Sequence, residues 1–413
     1  MDIKIPYGSD VIELHIDSKR IGEIILSSPY SGLSKKTISE HSNQGLISSI
    51  SEFLSKEEPT LIIINDHTRP TPSGIIINQI KDIFDIKNTS ILVASGMHRP
   101  TTISEQQYIL GDVYNLFRSK INQHNARNNS FIGLGWTSYG TEVLINNILE
   151  HYSHIIIIGS VEPHYFAGFT GGRKSFLPGI ACASSIINNH TLALSDKANV
   201  LILDGNPVHE DMMEFASFIT KKWKIFSIQI ALDRDGSIYS VHYGDFAETF
   251  IKASGDARLI FTREISKRYK IAIAIARPPL DINLYQSLKA IENVHSVIED
   301  GGIIILVSPC REGIGEENFY ELLISNKPRS EILSEIEKNY TFGAHKAYRL
   351  IKKMEKYKIY LYSDIDTDVI SKTGITPITN LKKCIEQALS IADDNSEILI
   401  INDATVMVPQ VKS

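Results

Sequence analysis

Short apolar runs rich in β-branched residues recur along the chain near 23–27, 61–64, 91–94, 154–158, 226–232, 271–275, 302–307, 358–362 and 397–401, with amphipathic or polar sequence between them. Runs such as Ile62-Ile63-Ile64 and Ile155-Ile156-Ile157-Ile158 do not alternate with polar residues, so a strand built from them must bury both faces. That restricts the chain to α/β architecture with largely parallel sheets, in which helices cover both sides and functional groups collect where strands end and loops begin. A length of 413 residues exceeds what one hydrophobic core usually serves, and two α/β domains are expected. The polar stretch Arg263-Glu264-Ile265-Ser266-Lys267-Arg268 marks a boundary between a catalytic domain over 1–265 and a second over 266–400, with the tail 401–413 able to pack back on the first.

No apolar run is long enough to cross a bilayer, and the opening Met1-Asp2-Ile3-Lys4-Ile5 lacks the pattern of a secretory signal. The three cysteines, 182, 310 and 384, have no paired short spacing and suit a reducing compartment, so the cytoplasm is the expected location. A formal net charge of −6 without a dense basic block argues against a nucleic-acid partner, and neither is a membrane partner expected.

Three blocks at expected strand exits carry chemistry. In Asp66-His67-Thr68-Arg69-Pro70-Thr71-Pro72 the prolines stiffen the turn; Arg69 can grip a carboxylate with two parallel hydrogen bonds, and Asp66 can orient an imidazole, although taken alone the motif slightly favours a local Asp66–Arg69 ion pair that merely closes the turn. In Ser95-Gly96-Met97-His98-Arg99-Pro100 a lone His98 reads as structural, but His164 supplies a second imidazole after another strand. Two such groups suit proton exchange at either face of a planar intermediate. The third block, Glu162 to Ala181, contains Gly171-Gly172-Arg173-Lys174-Ser175. Its glycines, amides and cations suit a phosphate, without Walker spacing. Lys174 is either a phosphate clamp or an amine for covalent attachment. His190 lies in a segment, 183–194, that can be helical, and alone it is a poor metal site. In the second half, Tyr285, Gln286 and Lys289 fall where a helix would put Gln286 and Lys289 on one face, exposed or turned to a ligand.

Taken together, Asp66-His67-Thr68-Arg69-Pro70, Gly96-Met97-His98-Arg99-Pro100, His164-Tyr165-Phe166-Ala167-Gly168-Phe169, Gly171 to Ser175, Leu177-Pro178-Gly179-Ile180-Ala181, Asn189-His190 and Tyr285-Gln286 resemble the lactate racemase family over nearly the whole chain. The resemblance implies an isomerase that racemises or epimerises a 2-hydroxy acid in an interdomain cleft. It also implies a nickel-pincer nucleotide with Ni(II), linked covalently at Lys174, flanked by Gly171, Gly172, Arg173 and Ser175, and completed by His190 as the one protein ligand in a square plane. By the same resemblance His98 and His164 exchange the hydroxyl proton, Asp66 orients a ring, and Arg69, Tyr285, Gln286, Lys289 and Phe342 surround the substrate. The cofactor takes and returns the α-hydrogen as hydride through a 2-keto acid.

Proteins that make and load the nucleotide are implied partners, and without them the chain would be in its apo form; a homo-oligomer is compatible with the resemblance. Two departures bear on substrate. Phe342 stands where lactate racemases carry tryptophan, and Ala276-Arg277 replaces a glycine pair. A larger or more polar 2-hydroxy acid than lactate, such as a dicarboxylate or sugar acid, is the expectation. Two other classes compete: a zinc-dependent hydrolase liganded by His98, His164 and His190, and a non-catalytic nucleotide or metabolite-binding protein.

Overall fold

The apolar runs become strands because β-branched side chains pack well on a pleated surface, and their alternate residues feed two different cores. In the computed structural model, which describes residues 1–26, 40–54, 58–393 and 395–412, the strands fall into two six-stranded sheets. The run near 23–27 appears as the strand Ile21–Ile25, residue 27 lying outside the described residues.

The first sheet runs in the order Ile238–Gly244, Lys224–Leu232, His154–Val161, Thr60–Asn65, Thr89–Ala94, Ile121–Gln123, parallel throughout except for the antiparallel edge strand Ile238–Gly244. Leu61, Ile63, Leu92, Ile155 and Ile157 point to one face, against Ile186, Met212 and Phe215 of the helices Ala183–Thr191 and Pro207–Lys222. Ile62, Ile64, Ile91, Val93, Ile156 and Ile158 point to the other, against Ile76, Ile77 and Ile80 of the helix Ser73–Ile80. Numbered by sequence, the strand order is that of doubly wound dinucleotide folds. It reverses direction between Thr60–Asn65 and His154–Val161, and ligands of such sheets sit in the crevice at that reversal.

The second sheet is wholly parallel, in the order Thr376–Ile378, Lys358–Tyr362, Ile298–Val307, Tyr269–Ile275, Ile398–Ile401, Ile21–Ile25. The hairpin Asp2–Tyr7 and Asp10–His15 covers it through Ile3, Ile5 and Leu14. The chain accordingly divides into two compact units, Pro29–Ile260 and Met1–Ser28 with Phe261–Ser413. This corrects a simple division at residue 265. The second boundary lies close to the expected place, but Ile24 and Ile25 register against Ile400 and Ile401, which draws the N-terminal strand into the C-terminal unit. In the tail, Val408–Val411 pairs with Thr262–Ile265 at that boundary. No helix among the described residues is long and apolar enough to cross a membrane.

Two buried imidazoles make the first unit sensitive to acid. Burial pushes the pKa of His124 down to about 4, and burial with the nearby Arg173 charge pushes that of His209 down to about 3. Unfolding restores a value of about 6.5, so between these limits the unfolded chain binds more protons and stability rises with pH. Thermal melts should show stability falling as pH drops from 6.5 to 5, by up to about 2 kcal/mol per ring at pH 5. A melting temperature that stays flat over this interval would show that these rings are not held neutral.

Candidate active site

Five polar side chains leave the first sheet at the carboxyl ends of its central strands, on both sides of the reversal. Asp66 and Arg69 follow Thr60–Asn65, His98 follows Thr89–Ala94, and Glu162 and His164 follow His154–Val161. The expected local Asp66–Arg69 pair does not form. Instead Asp66, 4% exposed, accepts from His98 Nδ1 at 2.7 Å and from the Thr68 amide at 3.1 Å and hydroxyl at 2.5 Å. Burial works to raise the pKa of the Asp66 carboxyl, but the hydrogen bonds from His98 and Thr68 outweigh it and hold the group below its usual range. Arg69 Nη1 reaches across the reversal to Glu162 Oε1 at 2.5 Å. The guanidinium carries further donors in the same plane, which is what a bidentate carboxylate contact needs.

The two histidines are held in opposite tautomers. His98 donates Nδ1–H to a carboxylate, which leaves its Nε2 as a base. At His164 the Ala167 amide donates to Nδ1 at 3.3 Å, so the neutral ring carries its proton on Nε2. The strand pairing of Pro163–His164 with Gly168–Phe169 bends this loop back on itself, and the His164 ring stacks on Tyr165 at 5.0 Å.

Phe166 gathers the remaining groups. Its ring, nearly buried, has the His164 ring against it at 4.6 Å between centroids, the His190 ring at 5.3 Å, and the Lys174 ammonium 5.5 Å from its centroid. His190 comes from the helix Ala183–Thr191, as the sequence suggests, and donates Nδ1–H to the Ile186 carbonyl at 2.8 Å. Burial first, and the Lys174 charge second, push its pKa down to about 3, so at neutral pH Nε2 is an unprotonated donor atom. A backbone carbonyl fixing the far nitrogen is the usual support for a metal-binding imidazole, so His190 fits the part of a single protein ligand to a cofactor that brings its own donors.

The glycine-rich turn differs from the phosphate cradle expected of it. The Gly172 amide donates to the buried Gln229 side chain at 2.8 Å, and Ser175 is buried. Arg173 is fully buried: its guanidinium lies 4.2 Å from the Phe250 ring centroid and donates to the Ala167 carbonyl at 2.6 Å, and burial lowers its pKa to about 9. Of the two adjacent cations, only Lys174 remains partly exposed. The glycines answer a steric demand instead. At φ +76° Gly171 lies so close to the sheet that a Cβ would stand 2.6 Å from Val161 Cγ2, and at Gly172 it would stand 2.8 Å from the Phe250 ring.

The other unit carries the remaining expected residues. Asn283 caps the helix Leu284–Val294, whose Gln286 and Lys289 are partly buried, and Phe342 is 37% exposed in the loop after the helix Arg329–Lys338. Tyr285 is partly buried, and the Lys346 ammonium stands 3.6 Å from its ring centroid and donates to its carbonyl. Burial, then the Lys289 charge, lowers the pKa of Lys346 well below the usual lysine value. Sequence reasoning passed over Thr68, Glu162, Phe166 and Lys346. Glu162 and Phe166 lay inside the motif block, but nothing in linear order shows a pairing across two strands or a ring shared by three side chains. Among the described residues no three His, Cys, Asp or Glu side chains converge to hold a metal ion, so the ligand set of a zinc hydrolase is not assembled there.

A doubly wound sheet with a carboxylate-oriented histidine, a second histidine across the reversal and a neutral imidazole beside a lysine defines a two-unit α/β protein whose titratable groups gather at the carboxyl ends of its strands. The chain belongs to the lactate racemase family: residues 7–201 match the lactate racemase N-terminal domain and residues 267–408 its C-terminal domain. It is 28% identical to the lactate racemase of Thermoanaerobacterium thermosaccharolyticum, with all of both chains covered. It is 29% identical to that of Lactiplantibacillus plantarum, covering 97% of this chain and 98% of the relative. The solved lactate racemase apoprotein from T. thermosaccharolyticum superposes with a TM-score of 0.86 at 26% identity, over 99% of this chain and 100% of that one. A Thermotoga maritima protein at 18% identity shares the fold, with a TM-score of 0.68 over 91% of this chain and 98% of that one.

Gly171→Ala tests the steric reading of the turn. A methyl group at this backbone angle forces the loop off the sheet and should destabilise by about 1–3 kcal/mol, measured by urea unfolding. An unchanged midpoint would return the glycines to ligand binding.

Proposed function

We propose that this protein racemises or epimerises a 2-hydroxy acid by paired proton transfer between His98 and His164. The observation that carries the reading is the placing of two imidazoles at strand exits on either side of the reversal, with His98 held by the Asp66 carboxylate. From one enantiomer, His98 Nε2 takes the hydroxyl proton while the imidazolium so formed is stabilised by Asp66. The α-hydrogen would leave as hydride only with a bound cofactor to accept it, and a planar 2-keto acid would remain. As hydride returns to the other face to give the opposite configuration, His164, entering the cycle as imidazolium, supplies the proton that the new hydroxyl needs and is left neutral. Starting from the other enantiomer, the two rings exchange tasks. Arg69 holds the carboxylate, its position fixed by Glu162, and Gln286 and Lys289 are the further side chains proposed to hold the substrate.

A nickel-pincer nucleotide, attached at Lys174 with His190 as nickel ligand, would supply the hydride acceptance that no side chain offers. The neutral His190 and the partly exposed Lys174, both against Phe166, support that assignment. Proteins that synthesise and load the nucleotide are the partners it requires.

The substrate we propose is larger or more polar than lactate, a dicarboxylate or sugar acid. Phe342 in place of tryptophan and Ala276-Arg277 in place of a glycine pair favour an anionic or hydroxyl-rich acid.

The decisive experiment is peptide mass spectrometry with nickel analysis on protein produced together with the cofactor-making set, followed by a panel of chiral 2-hydroxy acids. An adduct on the Lys174 peptide with bound nickel and interconversion of one pair of enantiomers or epimers is expected. An unmodified Lys174 despite active accessory proteins would overturn the cofactor assignment, and turnover of lactate alone would overturn the substrate class. In the loaded enzyme, Asp66→Asn should lower kcat by about 10²–10⁴-fold by removing the acceptor that fixes the His98 tautomer. Stopped assays with either pure enantiomer, both retaining full rate in that variant, would remove Asp66 from the mechanism.

A further inference from the structure

The Asp66–His98 pair joins two separate loops, and something must hold those loops in register. Glu105, in the first turn of the helix Ile103–Leu110, touches both. Its carboxylate accepts two parallel hydrogen bonds from Arg99, Nη1 to Oε2 at 2.8 Å and Nη2 to Oε1 at 2.7 Å. Oε2 also accepts from the Thr102 amide at 2.8 Å, while the Glu105 amide donates to the Thr102 hydroxyl at 3.3 Å, which closes a capping box. On the other side His67 Nε2 lies 3.3 Å from Oε1. His67 directly follows Asp66, and Arg99 directly follows His98. One side chain thus grips the residue after each member of the pair.

The grip is stronger than a helix cap requires. A capping box needs only the Thr102 contacts, and an exposed bidentate pair adds little stability by itself. The hydrogen bonds from Arg99, then from the Thr102 amide, hold the Glu105 carboxyl down at about 2, so it stays charged across any working pH. The His67 Nδ1 is buried without a hydrogen-bond partner, a cost that its contact with Glu105 brings into the structure.

We propose that Glu105 is a positioning residue that sets the Asp66–His98 hydrogen bond, and with it the Nδ1–H tautomer of His98, by tying the two strand-exit loops together. The inference rests on reading His98 as an acid/base group. It is tested without turnover, so that its failure and the failure of that reading can be told apart.

The measurement is ¹⁵N NMR of the imidazole nitrogens in the cofactor-free full chain, with His98→Gln identifying the His98 signals. In the unaltered protein the neutral His98 ring should be a single Nδ1–H tautomer. Glu105→Gln, which replaces one acceptor oxygen by a donor, should yield a mixture with at least a several-fold rise in the Nε2–H form. Arg99→Lys, which removes the parallel pair and leaves Glu105 in place, should do the same and carries the test should the first variant fold poorly. Thr102→Ala loses the hydroxyl half of the cap, and should lower the melting temperature with the tautomer unchanged. A single Nδ1–H tautomer retained in both Glu105→Gln and Arg99→Lys would overturn the proposal whatever their melting temperatures, as would an equal loss of tautomer order in Thr102→Ala.

Discussion

Strands buried on both faces leave a polar side chain almost nowhere to go except off the end, and the candidate site follows from that constraint. His154–Val161 is buried along its whole length, and Thr60–Asn65 is buried up to its last residue. The reactive groups therefore emerge together at one edge, where the strand order reverses and the loops part. The polar exceptions inside the sheet serve the same edge. Gln229, buried on Lys224–Leu232, turns its carbonyl to the Gly172 amide, and Ser160 bonds Thr71 at 2.7 Å beneath the Arg69 turn.

Neighbouring cations with opposite fates show how the edge is used. Arg173 and Lys174 follow one another in a 3₁₀ turn, so their side chains cannot share a direction. Arginine suits the inward place because a delocalised guanidinium can face an aromatic ring and several carbonyls at once and keeps most of its charge even with its pKa lowered to about 9. Lysine suits the partly exposed place because a compact, strongly hydrated ammonium keeps its contact with water there.

How much of this was legible in sequence depended on whether the information was local. The isoleucine runs announced parallel strands, and the residues just past them, Asp66, His98 and His164, were found because strand ends were. The helix around His190 and the shared face of Gln286 and Lys289 were periodic, hence readable. The N-terminal strand Ile21–Ile25 was visible as a run, but its partner Ile398–Ile401 lies at the far end of the chain, and periodicity carries no address. The inward turn of Gly172 and Arg173 was hidden for a related reason. Glycines with cations spell a phosphate site as well as a tight packing turn, and only the presence of Gln229 and Phe250 decides between them.

The site also shows why an arginine and an aspartate three residues apart need not pair. Were Asp66 bonded to Arg69, the carboxylate would be neutralised locally and His98 would lose the acceptor that fixes its proton. Thr68 prevents this by donating twice to Asp66 Oδ1, which leaves Oδ2 for His98, while Glu162 from the neighbouring strand takes Arg69. Asp66 and Arg69, which could have closed on each other in one turn, are thereby crossed with His98 and Glu162 from two other loops. Each is oriented by a partner it could not have reached without the sheet, and for this reason the site exists only in the folded unit.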